Sequence, residues 1–290
     1  MRTIIVGIIV LGVLCSACCA REAKRMPILS CDTYSLRDYF GSGKLDFLTV
    51  PKVLKDIGIP GVCFNTIWLP KDPNNAYLDS VKKACKDAGM KITGLIIEGN
   101  IATLDDEKRK AQIEYDIKML KVAGYLGAPI VRINLGGTGK GEAEDDTVGA
   151  QRVIDAFNQM LPLAKQLNIK ITIENHGGVS LKADTILKVI KGTDPKWVGS
   201  CLDFGNWPDD ARNSESAKLA AYAYHVHAKT HNFNDKGEDV NKDYKRLLQI
   251  MKDAKYKYAV SIEFEGPEDQ IEGVKKTRDL VLKYGPELAK

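Results

Sequence analysis

The segment IKITIENHGGVSLKADTILKVIKGTDPKWVGSCLD, residues 169–203, contains the pattern that decides the fold. Its first run, 169–175, is rich in β-branched residues and predicts a strand, and a second such run, 198–203, predicts another. The residues between the two runs predict a helix. Because a strand, a helix and a strand in this order form the unit of a parallel sheet, the segment indicates an α/β fold.

The same unit recurs along the chain from residue 27 to residue 287 without a long linker. Helices are predicted most clearly over 105–126, 147–167 and 243–255. An open doubly wound sheet is the alternative topology, but no G-x-G-x-x-G follows the first strand, and eight tandem units favour closure. The chain is therefore predicted to form a single-domain (β/α)8 TIM barrel over 27–287. Its eight strands are predicted at 28–33, 61–65, 91–97, 130–135, 169–175, 198–203, 224–229 and 258–264.

The composition is that of a soluble globular protein with a large core. Of 290 residues, 44% are hydrophobic and 28% are charged. The net charge of +4 is too small to indicate a nucleic-acid partner, so a small molecule is the expected ligand. The sequence does not determine an oligomeric state. After residue 20 the sequence contains four cysteines and no C-x-x-C pair. These cysteines are predicted to be small buried residues: Cys31, Cys63, Cys85 and Cys201.

Residues 1–20 have the features of a signal peptide. Arg2 precedes an apolar and glycine run over 4–14, which is followed by small residues over 15–20. The apolar run is too short to cross about 30 Å of hydrocarbon as a helix. The protein is therefore predicted to be exported to the periplasm or another extracytoplasmic space. In an alternative interpretation the segment is a lipoprotein signal, Cys18 carries the lipid, and membrane contact occurs through that anchor alone.

The last four predicted strands share one feature, since each ends in a potential metal ligand. In a TIM barrel the active site lies at the C-terminal ends of the strands, so these side chains are expected to converge. A helix cap or a salt bridge would explain any one carboxylate equally well, but not four ligands in succession. Three carboxylates and one imidazole favour Mn²⁺ or Mg²⁺, with Zn²⁺ or Co²⁺ as alternatives. The predicted ligands are Glu174, Asp203, His227 and Glu263.

Five motifs lie at the ends of predicted strands: YSLRD at 34–38, VRIN at 131–134, IENHGG at 173–178, DFGN at 203–206 and IEFEG at 262–266. They are similar to motifs of bacterial members of the xylose isomerase-like TIM-barrel family. This family includes sugar phosphate isomerases and epimerases and the endonuclease IV-like proteins. The resemblance implies that the four predicted ligands match the metal ligands of the epimerase branch, and that Glu174 and Glu263 match its acid/base pair.

Two departures from the family pattern narrow this expectation. Asn206 stands where epimerases and endonucleases of the group often have a histidine, and Cys63 replaces an acidic residue often found on strand two. The chain has only four histidines, too few for the three-metal site of the endonucleases. A single divalent ion is therefore expected, with His227 as the weakest of the four predicted ligands.

Further residues at the strand ends are predicted to support the site. Lys229 shares a strand face with His227, and would either place a cation beside a developing oxyanion or form an ion pair. Arg132 would contact substrate or form a salt bridge to a ligand carboxylate. Glu98 would contact substrate or cap the following helix. The predicted substrate-binding residues are Arg132, Asn134, His176, Glu98, Asn206 and His231.

The function expected from this set is a divalent-metal-dependent sugar isomerase or epimerase. Two glutamates on either side of a substrate carbon would remove and return its proton through an enediolate, while the metal ion stabilises the charge. A lyase or dehydratase acting on a keto-sugar or sugar derivative uses the same groups. A non-catalytic carbohydrate-binding barrel is the third alternative, and the presence of both Glu174 and Glu263 argues against it.

Overall fold

The computed structural model describes residues 27–136 and 146–289, and in them eight parallel strands form a closed barrel in sequence order. Closure is made by the first and last strands, where Ile28 pairs with Ala259 and Cys31 with Ile262. The predicted TIM barrel is therefore confirmed. The strands are β1 (Ile28–Asp32), β2 (Gly61–Asn65), β3 (Lys91–Ile97), β4 (Ile130–Ile133), β5 (Lys170–Glu174), β6 (Val198–Asp203), β7 (Ala223–Thr230) and β8 (Ala259–Phe264).

Helices lie between the strands in the described part of the chain and cover the outside of the barrel. Several of their N-termini are capped by short polar side chains, as where Asp105 accepts a hydrogen bond from the backbone N–H of Lys108. The α-helices are α1 (Arg37–Gly41), α2 (Val50–Asp56), α3 (Asn75–Asp87), α4 (Asp106–Leu126), α5 (Asp146–Leu167), α6 (Ala183–Gly192), α7 (Arg212–Ala220), α8 (Tyr244–Asp253) and α9 (Gln270–Tyr284).

The strands bury different chemistry on their two faces. On β5, Ile171 and Ile173 belong to the hydrophobic core, whereas Thr172 and Glu174, on the other face of the same strand, are buried polar residues. Successive side chains of a strand point to opposite faces, so this alternation separates an apolar layer under the helices from a polar barrel interior. The polar interior is what allows charged groups to gather at the C-terminal ends of the strands.

The observed strand ends differ from the predicted ones by only a few residues. Strand β4 stops at Ile133 rather than at residue 135, and β7 runs on to Thr230. The predicted signal peptide, residues 1–20, lies outside the described residues. The alternative lipid site at residue 18 is part of that segment. Among the residues that the structure describes, no helix is long and apolar enough to cross a membrane. The four cysteines of the barrel are free and buried.

Candidate metal centre

The four predicted metal ligands converge at the C-terminal ends of β5 to β8. Each offers a ligand atom, and these atoms all lie within 4.8 Å of one another. The side chain of His227 is central, since its Nδ1 lies 3.4 Å from Oε1 of Glu174 and 3.3 Å from Oε2 of Glu263. All four residues, including Asp203, are buried. The four strand ends therefore deliver one compact donor set to the barrel interior.

Three atoms of this donor set show that it fits a divalent ion. Oδ2 of Asp203, Oε2 of Glu263 and Nδ1 of His227 are buried and have no hydrogen-bond partner in the described residues. Leaving such atoms unpaired is costly, and a shared cation would satisfy them together. Two ligands bound to one ion at about 2.1 Å lie roughly 3.0 to 3.4 Å apart, which is the spacing seen around His227.

Two buried cations each contact a glutamate of the donor set and a second carboxylate beside it. Nη2 of Arg132 lies 2.6 Å from Oε2 of Glu174, and Nη1 lies 3.0 Å from Oε1 of Glu98. Nζ of Lys229 lies 3.2 Å from Oε2 of Glu263 and 3.1 Å from Oε1 of Glu265. Arg132 thus forms the salt bridge that the sequence left as an alternative to substrate contact.

With all of its carboxyl groups ionised, as metal binding favours, the cavity has an excess of negative charge that a further cation would reduce. Six carboxylates face two permanent cations, Arg132 and Lys229, so acidic groups exceed these cations by four. Buried charge is stable only when it is paired, and a divalent ion would supply two of the missing positive charges. The six carboxylates are Asp32, Glu98, Glu174, Asp203, Glu263 and Glu265.

The cations hold the two candidate acid/base glutamates in their ionised form. Burial raises the pKa of Glu174, but Arg132 and His227 outweigh it and lower the pKa to about 2. Burial likewise opposes ionisation of Glu263, whose pKa Lys229 and His227 hold well below its usual range. Both glutamates are therefore carboxylates at neutral pH, as ligands and bases must be.

The two aspartates of the cavity behave differently. Burial raises the pKa of Asp203 well above its usual range despite the nearby Lys229. It also raises the pKa of Asp32 to about 7, against the opposing effect of His227. A divalent ion held by the site would favour the carboxylate form of Asp203 through its charge.

The loop after β6 joins these groups to one another. The backbone N–H groups of Gly205 and Asn206 donate to Oδ1 of Asp203 at 2.6 and 2.7 Å. The side chain of Asn206 donates to Oε1 of Glu174 at 3.1 Å and accepts from Nζ of Lys229 at 3.1 Å. Asn206 therefore links a predicted ligand to the predicted cation, in the position where the family often has a histidine.

Glu98 at the end of β3 organises the opposite side of the cavity. Its carboxylate accepts hydrogen bonds from Asn65 at 3.2 Å and from Asn134 at 2.8 Å, besides that from Arg132. The N-terminus of α4 is capped by Asp105, so the alternative of a helix cap at Glu98 does not apply. Glu98 and Asn134 thus lie at the mouth, bonded to each other.

The two remaining predicted residues lie at different parts of the rim. His176 is exposed and lines the cavity of about 340 Å³ above the donor set, together with Glu174 and Glu263. His231 does not line this cavity. Its Nδ1 lies 3.1 Å from Nζ of Lys242 and its Nε2 3.7 Å from Glu265, at the edge of a neighbouring depression.

Sequence reasoning missed several residues that line the central cavity, among them Asp32, Asn65 and Ile67. Asp32 is the last residue of β1, and its side chain faces His227. The criterion applied to strands five to eight, a carboxylate at the end of a predicted strand, would have found it in the first strand. Asn65 ends β2 and would have been found if that criterion had included amides.

The comparisons with known proteins agree with the fold. A family model described as xylose isomerase-like TIM barrel matches residues 51–284. The chain therefore belongs to the xylose isomerase-like TIM-barrel family, as its motifs predict. A search of curated proteins found no significant match.

Solved structures with the same fold include two epimerases and a zinc-bound protein. D-psicose 3-epimerase from Clostridium cellulolyticum H10 superposes with a TM-score of 0.70 at 14% identity, over 85% of this chain and 95% of that one. The 3-keto-D-glucoside 4-epimerase of E. coli gives 0.67 at 15% identity, over 81% and 93%. The IOLI protein with a bound zinc atom gives 0.72 at 17% identity, over 89% and 99%.

Proposed function

We propose that this protein is a divalent-metal-dependent sugar isomerase or epimerase that moves a proton through an enediolate. The observation that carries the proposal is the convergence of Glu174 and Glu263 on one buried donor set, with His227 between them at 3.4 and 3.3 Å. Membership of the xylose isomerase-like family and the fold shared with two epimerases support it.

Glu174, Asp203, His227 and Glu263 would hold the ion. When bound, a divalent ion stabilises negative charge on neighbouring oxygens of a sugar. Oxygen ligands in the majority favour Mn²⁺ or Mg²⁺, while the imidazole keeps Zn²⁺ and Co²⁺ as alternatives. An ion held by the donor set would therefore increase the acidity of the C–H group beside the sugar carbonyl, as proton removal from that carbon requires.

The two glutamates supply the proton transfer. Both are ionised, since Arg132 and Lys229 respectively favour their carboxylate forms. One carboxylate removes the proton from the substrate carbon and later releases it to water, and the other, after taking a proton from water, returns one from a second side. Return to the opposite face of the same carbon gives an epimer. Return to the neighbouring carbon, together with transfer of the hydroxyl proton between the two oxygens, gives an aldose–ketose isomer.

Lys229 is placed to stabilise the oxyanion that forms. It is buried, which lowers the pKa of an amine, but Asp203 and Glu263 outweigh burial and hold the pKa of Lys229 well above its usual range. A charged ammonium fixed in a dry site stabilises developing negative charge without reorganisation. Its bond to Asn206 keeps it in place.

The cavity above the donor set suits a monosaccharide or one unit of a sugar derivative. It has a volume of about 340 Å³, and Glu98, Asn65 and His176 offer polar atoms around it. Sugar hydroxyls both donate and accept hydrogen bonds, so carboxylates and amides at the wall match them. The aromatic ring of Tyr34 provides one apolar surface for C–H groups.

Metal analysis and solvent exchange test the proposal. The purified protein is analysed for bound metal, then incubated in D₂O with Mn²⁺ and a panel of sugars and keto-sugars. We expect deuterium at one carbon of a substrate, and loss of this exchange in Glu174→Gln and Glu263→Gln. Glu272→Gln, an exposed residue of α9 with the same charge change, serves as the control and should retain exchange.

The other outcomes separate the alternatives. An unsaturated product formed with loss of a β substituent would identify a lyase or dehydratase. Sugar binding without metal and without exchange would identify a carbohydrate-binding barrel and overturn the proposal.

We also propose export of the protein, because residues 1–20 have the features of a signal peptide. Cell fractionation and N-terminal analysis of the mature protein test this. Cleavage near residue 20 is expected for a soluble exported form, whereas a lipid on Cys18 would show a lipoprotein. An uncleaved chain confined to the cytoplasm would contradict export.

A further inference from the structure

Asp32 lies at the metal centre but has no place in the proton transfer described above. It is the last residue of β1 and only 1% of its surface is exposed. Its Oδ1 accepts a hydrogen bond from the backbone N–H of Tyr34 at 2.9 Å. Its Oδ2 is buried and has no hydrogen-bond partner in the described part of the chain. Within the described residues, Oδ1 of this carboxylate therefore accepts a hydrogen bond and Oδ2 does not.

The unpaired oxygen points to the far side of the His227 ring. Oδ2 of Asp32 lies 3.6 Å from Nε2 of His227, and Nε2 also lacks a hydrogen-bond partner among the described residues. The other ring nitrogen, Nδ1, faces Glu174 and Glu263. The imidazole thus has one nitrogen towards the donor set and the other towards a lone carboxylate oxygen.

We propose that Asp32 is a positioning residue that keeps the proton of His227 on Nε2, so that Nδ1 presents its lone pair to the ion. This inference rests on the proposed metal site. A neutral imidazole carries one proton, and the hydrogen bond made by one nitrogen decides which nitrogen remains free. Histidine ligands of metals usually donate their other N–H to such a carboxylate or carbonyl.

The distance of 3.6 Å is longer than a hydrogen bond, but a shift of about 0.6 Å would bring the two atoms to a typical N–H···O length. Other side chains adjoin the ring, among them Cys201 and His225. Cys201 is a thiol, whose sulfur is a weak acceptor, and His225 packs edge-on with ring centroids 5.4 Å apart. The carboxylate of Asp32 is a stronger acceptor for Nε2 than either of these two.

Two substitutions of Asp32 separate positioning from simple packing. In Asp32→Asn, the amide oxygen keeps the bond to Tyr34, so the NH₂ group faces Nε2 and forces the ring proton onto Nδ1. In Asp32→Ala, neither tautomer is imposed, but the bond to Tyr34 is lost. Positioning thus predicts the larger loss of metal affinity in Asp32→Asn, whereas packing predicts the larger loss of stability in Asp32→Ala.

The first measurement is the affinity for Mn²⁺ by titration calorimetry, with the full chain. We expect the dissociation constant to rise about 10- to 100-fold in Asp32→Asn and by less in Asp32→Ala. Asp116→Asn, a buried carboxylate on α4 outside the site, is the matched control and should bind Mn²⁺ like the unmodified protein. Equal affinity of Asp32→Asn and the unmodified protein would overturn the proposal.

The second measurement is independent of metal binding and of activity. Nitrogen NMR of the histidine-labelled, metal-free protein shows which nitrogen of the neutral His227 ring carries the proton. We expect Nε2 in the unmodified protein and Nδ1 in Asp32→Asn. A proton on Nδ1 in both proteins would refute the inference about Asp32, whereas normal tautomers with no Mn²⁺ binding would refute the metal site alone.

Discussion

The two halves of the barrel contribute groups with different roles to one cavity. Strands β5 to β8, the ligand half, carry Glu174, Asp203, His227 and Glu263. Strands β1 to β4, the support half, contribute none of these four ligands, and two of their residues contact the ligands directly. Arg132 of β4 pairs with Glu174, and Asp32 of β1 faces His227.

The difference shows how a barrel can hold a cluster of acidic groups. The ligand half alone would bury three carboxylates, a costly arrangement without counter-charge. Arg132, together with Lys229 inside the ligand half, supplies part of that counter-charge. Glu98 in turn fixes Arg132 at 3.0 Å. Each half is therefore incomplete without the other, and substitutions should affect them differently.

Removing a ligand should have the largest effect. Asp203→Asn is expected to weaken Mn²⁺ binding by more than about 100-fold, beyond the range typical of groups that only contact ligands. In the support half, Glu98→Gln can keep the acceptor oxygen that Asn65 and Arg132 share and should weaken binding less. Titration calorimetry of both variants measures the contrast. Equal losses would erase the distinction between the two halves.

Removing the counter-charge should destabilise the fold. Arg132→Met leaves Glu174 buried without its cation, and breaking such a buried pair costs about 3 to 5 kcal/mol of unfolding free energy. Lys52→Met breaks an exposed i,i+4 pair with Asp56 and should cost less than about 1 kcal/mol. Urea unfolding of the two variants gives both values. A loss in Arg132→Met as small as that in the control would contradict the charge balance described for the cavity.

A buried carboxylate outside the cavity shows how the neighbouring cations change the pKa of a buried carboxyl group. The side chain of Gln112 donates a hydrogen bond to Asp116 on α4 at 2.7 Å, and burial, opposed by that hydrogen bond, raises the pKa of Asp116 to about 8. Glu174, equally buried but beside Arg132, has a pKa of about 2. The two carboxylates share burial and differ in the neighbouring charge.

Asp116 should therefore make stability depend on pH. Between its unfolded pKa near 4 and its folded pKa of about 8, the folded protein binds the extra proton. Its stabilising contribution is complete below the unfolded pKa and is lost as the pH rises towards 8, by up to about 1.4 kcal/mol per pH unit. We expect Asp116→Asn to remove this loss. Urea unfolding of both proteins from pH 5 to pH 8 tests it, and parallel profiles would contradict the raised pKa.

The smallest effect is expected at the rim. His176 is exposed and lines the cavity without contacting the donor set through any described hydrogen bond of its ring. His176→Ala should raise KM for the substrate found in the exchange experiment by less than about tenfold and leave kcat unchanged, as loss of uniform binding does. A fall in kcat equal to that of Glu174→Gln would instead place His176 in the proton transfer.

The fold could be predicted from the sequence, since eight alternating strand and helix patterns have few ways to close. The four members of the donor set could also be predicted, because strand ends of a TIM barrel meet at one face. Each of these conclusions depends on periodicity and on local position, which a sequence records directly.

The contacts between these groups could be identified from the tertiary structure but not from the sequence. Arg132 lies 42 positions before Glu174 in the chain, and Asp32 lies far from His227, yet both pairs meet inside the barrel. The tilt and closure of the strands set those contacts, as well as the placement of His231 outside the central cavity. Burial and neighbouring charge, which fix the pKa values of Glu174 and Asp116, likewise follow from packing rather than from residue type.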